Sequence, residues 1–154
     1  MEFGVASGRT LRFISETHPG RVYGFDSFEG LPEVWRPGFP AGAFAQNPPE
    51  TTRNAELVIG RFDKTLPNFA ALHREPISFL HIDCDLYSST KIILDNLSDR
   101  IVTGTIIVFD EYIYYPGWRK HEYKAWKEFA IRKRLSFEYS GYVKENQQVS
   151  IIIT

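Results

Sequence analysis

Four carboxylates in two short stretches carry the most chemistry in this chain. Asp83 and Asp85 flank Cys84 at the end of an apolar run (Ile77, Phe79, Leu80, Ile82), and Asp110-Glu111 end the run Thr105-Ile106-Ile107-Val108-Phe109. Short apolar runs bounded by polar residues read as strands buried on both faces of a parallel sheet. In open α/β sheets ligands bind just past the carboxyl ends of the strands, where these acids fall. If the two strands are neighbours, the four carboxylates gather at one edge, about 5 Å apart per strand spacing. Charges that close repel unless a cation or a proton sits among them. The alternative is an ion-pair or protonated structural network. Oxygen donors without a Cys or His cluster suit Mg²⁺ better than Zn²⁺. Asp83 and Asp85 are two apart and share one face of an extended segment. Asp110 and Glu111 are adjacent, so both serve only if the strand end twists or turns there.

A second candidate site opens the chain. Met1 to Val5 reads as the end of a strand, and the turn EFGVASG, with Gly4 and Gly8, leads into a helical stretch from Arg9 to Glu16. Glycine lets backbone approach a ligand closely, and a helix N-terminus favours negative charge. A second strand, Arg21 to Phe25, ends in Asp26, about 20 residues after the turn, where an acid is placed to accept hydrogen bonds from ribose hydroxyls. An ordinary tight turn is the plainer reading of the glycine pair alone.

Repeated β-α units must position these residues. Glu56 to Ile59 is a third strand, closed by Gly60, and Asp63 opens a helix running to Leu72. Ser88-Ser89-Thr90 is expected to cap a helix over Lys91 to Leu97, and Trp118 to Lys133 is a helix with Tyr123, Trp126, Phe129 and Ala130 at helical spacing. Phe137 to Val143 and Gln148 to Ile153 suggest a terminal β-hairpin. Ser27 to Glu50 is a long loop rich in Pro, Gly and aromatics. It reads as a substrate-facing flap carrying Phe28, Trp35, Phe39 and Phe44, or as a satellite cluster pinning the loop to the body. The order predicts an α/β fold with helices on both faces.

Composition narrows the classes. The 154 residues suit one domain, 1–154, and 43% hydrophobic with 24% charged residues is ordinary for a globular chain. A net charge of −1 argues against a nucleic-acid partner or an anionic membrane held by bulk electrostatics. The basic run Arg132-Lys133-Arg134 reads as the solvated end of a helix. One cysteine excludes an intrachain disulfide and fits a reducing, cytoplasmic setting. No apolar run approaches the roughly 18 residues of a membrane span. Among single residues, His81 reads as a satisfied buried histidine and Cys84 as a small core residue. His121 reads as a surface helix position. Tyr112, Tyr114, Tyr115 and Trp118 form a pocket wall or a packed loop.

The stretches EFGVASG, GFDSFEGLPEVW, GRFDKTLP, HIDCDLYSST and IVFDEY followed by GWR resemble, together and in this order, class I S-adenosylmethionine-dependent methyltransferases. The resemblance is to the macrocin O-methyltransferase-like group, which includes metal-dependent sugar O-methyltransferases. It implies a Rossmann-like, seven-stranded, mostly parallel sheet with an antiparallel last strand. It implies cofactor contacts from Glu2, Gly4, Val5, Ala6, Ser7, Gly8, Asp26, Ser27, Gly60, Phe62 and Asp83. Asp83, Asp110 and Glu111 would be ligands of Mg²⁺, with Asp85 as general base. The family's N-terminal helices have no counterpart before Met1, so the first strand is expected to be short.

The leading expectation is an O-methyltransferase acting on a hydroxyl of a small metabolite, a sugar or a phenol. A second reading takes Asp83-Cys84-Asp85 as the DxD of a metal-dependent nucleotide-sugar glycosyltransferase. A third is a cofactor-binding remnant or subunit without turnover, whose exposed edges would favour a homo-oligomer.

Overall fold

Strand β1 is two residues long, Glu2–Phe3, because Gly4 turns into the left-handed region (φ 90°) directly after it. The computed structural model describes residues 1–154, which divide into two compact units, Met1–Thr65 and Leu66–Thr154. In the first unit β1 pairs in parallel with β2 (Val22–Asp26), and β2 with β3 (Ala55–Ile59), giving the order β3-β2-β1. Register sets Phe3 against Phe25, whose buried rings stack at 4.5 Å. Helix α1 (Arg9–Thr17) turns Leu11 and Ile14 inward. It packs so closely on β2 that a Cβ at Gly24 would lie 2.7 Å from a Leu11 methyl and 2.8 Å from Val5. That glycine is there for close approach.

The loop from Ser27 to Glu50 folds back on itself. The Leu31 N–H donates to the Ala43 carbonyl (2.9 Å), and the Gly42 N–H donates to Leu31 (2.8 Å). Gly30 makes this doubling-back feasible, since a Cβ there would sit 2.4 Å from the Gly42 and Ala43 carbonyl oxygens. Phe28, Leu31 and Trp35 are buried, Arg36 lies 4.0 Å over the Trp35 ring, and Phe44 alone of the four named aromatics is exposed. Its buried aromatics form a satellite hydrophobic cluster.

Helix α2 spans Phe62–Leu72. In the second unit β4 (Phe79–Ile82) pairs in parallel with β5 (Ile106–Phe109). Strand β7 (Val149–Ile153) pairs antiparallel with both β5 and β6 (Phe137–Tyr142), giving the order β4-β5-β7-β6. The seven strands are thus mostly parallel, with an antiparallel last one. Leu80, Ile82, Ile107, Phe109 and Ile151 are fully buried, as continuous apolar strands require. Helices α3 (Tyr87–Leu97) and α4 (Glu122–Lys133) complete the unit, and Trp126 of α4 lies 5.8 Å from Phe109 and 5.0 Å from Phe137.

Two helix starts differ from expectation. Ser88, Ser89 and Thr90 lie inside α3, whose N-cap is Leu86. Ser89 and Thr90 are buried there, and Thr90 Oγ1 donates to the Leu86 carbonyl (2.9 Å) as a back-bond along the helix. The stretch from Trp118 is also not one helix: Trp118–Lys120 is a 3₁₀ turn, and His121 (φ −113°, ψ −123°) breaks it before α4 begins at Glu122. The basic run does end α4, with Arg132 paired to Asp95 and Lys133 3.9 Å from Asp99. No helix is long and apolar enough to cross a membrane.

Candidate active site

The glycine turn of the first unit is built from left-handed backbone at Gly4, Ala6 (φ 45°) and Gly8 (φ 74°). The Gly8 N–H donates to Val5 (2.8 Å), and Gly8 caps α1 without any side-chain bond to the first helical amides. A helix that begins on glycine leaves those amides to an anionic ligand. Ser7 is exposed on the turn, Val5 is buried beneath it, and Glu2 is fully buried on β1.

Asp26 does more than the ribose reading assigns to it. Its Oδ2 accepts the N–H groups of Val5 and Ala6, both at 2.9 Å, and its Oδ1 accepts the Phe28 N–H at 2.8 Å. A carboxylate has about four lone-pair sites, and three are occupied by backbone. Asp26 is therefore first a clamp that fixes the glycine turn, with room for one further donor. Gly60 (φ 135°) donates its N–H to the Asp26 carbonyl (2.9 Å), and Phe62 packs edge-on against Phe3 at 5.3 Å. Ser27 is spent locally, its Oγ accepting the Glu29 N–H at 3.2 Å.

In the second unit the acid-terminated strands β4 and β5 are neighbours, which meets the condition for gathering their acids. His81 of β4, Asp83 and Asp110 bring one potential ligand atom each within 4.8 Å of one another. His81 Nε2 is 3.7 Å from Asp110 Oδ1, and Gln148 Nε2 donates to Asp110 Oδ2 at 3.0 Å. Burial raises the Asp110 pKa, but hydrogen bonds from His81, Gln148 and Glu111 outweigh it and hold the carboxyl below its ordinary value. His81 is buried, as expected, yet it belongs to the acid cluster rather than to inert packing.

Asp85 is buried and held at φ 63°, where the Leu86 N–H closes onto the Cys84 carbonyl at 2.6 Å. This is a turn, so the extended-segment argument that put Asp83 and Asp85 on one face does not hold. Aspartate tolerates left-handed backbone better than most residues, and such outliers gather at functional sites. Glu111 is driven well above the ordinary carboxyl value, by burial first and then by the charges of Glu122, Asp85, Asp83 and Asp110. Its Oε2 is buried without a hydrogen-bond partner, which marks a place for a proton or a cation. Cys84 is a buried thiol pushed upward by burial and then by Glu122, which fits the core role expected of it.

Glu122 was missed. It is fully buried, its Oε2 accepts the Glu111 N–H at 3.1 Å, and its Oε1 accepts the Cys84 N–H at 3.5 Å. Burial, then Asp83 and Asp85, raise its pKa strongly. An acid in the first turn of a helix is ordinary, since it favours the dipole, so sequence carried no signal that this one points inward. Nearby, Tyr112, Tyr114, Tyr123, Tyr139 and Tyr142 line a cavity of about 510 Å³. Tyr112 and Tyr114 are thus wall residues, whereas Tyr115 is buried packing; His121 sits half-buried at the N-cap of α4.

A family described as "Methyltransferase domain" matches residues 1–112. The chain is 27% identical to demethyldecarbamoylnovobiocin O-methyltransferase of Streptomyces niveus, the match covering 75% of this chain and 52% of that protein. It therefore spans about half the length of this curated relative. Among solved structures, the calicheamicin methyltransferase CalS11 superposes with a TM-score of 0.77 at 24% identity, covering 99% of this chain and 70% of that one. MycE, a methyltransferase from mycinamycin biosynthesis solved with Mg and S-adenosylhomocysteine, superposes at 0.62 and 16% identity, covering 99% and 44%.

Proposed function

The chain belongs to the methyltransferase-domain family, and from that premise we propose that residues 1–154 act as one S-adenosylmethionine-dependent O-methyltransferase domain on a hydroxyl of a small metabolite, a sugar or a phenol. The observation that carries this reading is the meeting of Asp83 and Asp110 with His81 at the ends of β4 and β5, beside the turn that holds Asp85.

S-adenosylmethionine, when bound, would supply an electrophilic methyl group: the acceptor oxygen would bond to it as the carbon–sulfur bond breaks and S-adenosylhomocysteine leaves. The glycine turn from Gly4 to Gly8 offers uncapped helix amides to its carboxylate, and Asp26 keeps one lone-pair site for its ribose. Asp83, Asp110 and Glu111 are the residues that would hold Mg²⁺, and the buried Glu111 Oε2 fits such a role. The ion would supply a lowered pKa at the acceptor hydroxyl. His81 orients Asp110 from one side and Gln148 from the other. Asp85 takes the proton of the acceptor hydroxyl as its oxygen attacks, which is the general-base role.

Calorimetric titration with S-adenosylhomocysteine, with and without Mg²⁺, tests the cofactor class. Binding supports the reading, and Asp85→Asn should then keep that binding while abolishing transfer. Failure to bind in either buffer, combined with metal-dependent binding of a nucleoside diphosphate, would replace it with the glycosyltransferase reading of Asp83-Cys84-Asp85.

A further inference from the structure

The two turns that carry the acid cluster are far apart in sequence, and one side chain joins them. Glu122 receives the Cys84 N–H on one oxygen and the Glu111 N–H on the other, across 38 and 11 residues of chain. Cys84 lies between Asp83 and Asp85, and Glu111 follows Asp110. We infer that Glu122 is a positioning residue that fixes the end of β4 against the end of β5, and thereby the spacing of Asp83, Asp110 and Glu111.

Three observations support this role. Glu122 is fully buried, where a carboxyl group needs hydrogen-bond partners. Each of its oxygens takes one backbone N–H, one from each turn, so the side chain spans the two. Finally, the chain between β5 and α4 breaks at His121, and the fresh helical start at Glu122 directs its side chain inward. A hydrogen bond made by each oxygen constrains two turns at once, which no neutral side chain of the same length can do, since an amide has one acceptor oxygen.

The inference rests on the metal-assisted reading for its functional consequence, but not for its structural claim. The test uses the full chain with Glu122→Gln, and with Glu122→Asp, which keeps the carboxyl group but is one methylene too short to reach both amides. Titration with MnCl₂ as the probe should show affinity falling about 10–100-fold in both variants, the range for lost support of a ligand shell. S-adenosylhomocysteine affinity should fall by less than that for Mn²⁺, because the Gly4–Gly8 turn and Asp26 lie outside the two turns that Glu122 joins. Amide exchange in metal-free protein is the second readout: the Cys84 and Glu111 amides should lose protection while those of Leu80 and Ile107 keep theirs. Unchanged Mn²⁺ affinity in the variants, or unchanged exchange at the two amides, overturns the inference. If the unsubstituted chain binds no Mn²⁺, the metal reading falls and the exchange readout alone decides whether Glu122 joins the turns.

Discussion

Replacing Glu111 with Gln should flatten the pH dependence of stability of the metal-free protein. Burial and the surrounding carboxylates raise the folded pKa of Glu111 far above its unfolded value of about 4.3. Such a carboxyl keeps its proton in the folded state while the unfolded chain releases it. Its contribution is therefore full below about pH 4.3 and is lost progressively as pH rises toward the folded pKa. One retained proton gives a slope of about 1.4 kcal/mol per pH unit. Between about pH 5.5 and pH 7.5 that amounts to roughly 3 kcal/mol, a large share of a typical 5–15 kcal/mol. Asp110 acts in the opposite sense. Its folded pKa is lowered, so its contribution is present above about pH 3.9 and lost only below it, outside this window. Urea unfolding in EDTA at the two pH values, on the unsubstituted chain and Glu111→Gln, measures the effect. The gap between the two proteins should move by about 3 kcal/mol in favour of the variant as pH rises. Parallel stability curves would refute the reasoning, because they would mean that Glu111 ionises alike in folded and unfolded chains.

Asp26→Ala leaves three backbone N–H groups without their acceptor, so S-adenosylhomocysteine affinity should drop about tenfold or more by calorimetry, at 1.5–3 kcal/mol for bonds to a charged group; an unchanged affinity would show that the turn holds its shape unaided. Gly8→Ala places a Cβ 2.7 Å from Pro49 Cγ on backbone at φ 74°, and should lower the melting temperature by several degrees through at least about 1 kcal/mol of strain. Trp126→Ala empties a fully buried site against Phe109 and Phe137, and chemical denaturation should report a loss of about 3–5 kcal/mol.

What the sequence revealed depended on period and burial. The runs ending in Asp83 and Asp110 were legible as strands because short, mostly apolar runs bounded by polar residues suit a strand covered on both faces, whereas their pairing, Ile82 against Phe109, was only a condition until the fold supplied it. The Gly4–Gly8 turn was legible because its left-handed positions favour glycine, although Ala6 adopts the same region. Less visible were choices settled by tertiary contact. Serine and threonine at 88–90 suited a cap by propensity, but burial of Ser89 and Thr90 made them part of the helix interior. The aromatics of the long loop could face either way by composition, and burial of Phe28 and Trp35 appears only in the fold. Asp26 and Glu122 are the strongest cases: each binds backbone amides whose positions exist only after folding.

The place of β7 has a consequence for how the chain is made. Val149–Ile153 lies between β5 and β6, so the final strand in sequence is an interior strand of its unit. During synthesis β5 must wait, with one edge unpaired, until Val149–Ile153 has cleared the ribosome. The waiting edge includes Ile107 and Phe109, both fully buried in the finished unit. Nascent chains stalled before residue 149 would therefore expose an apolar template for intermolecular pairing.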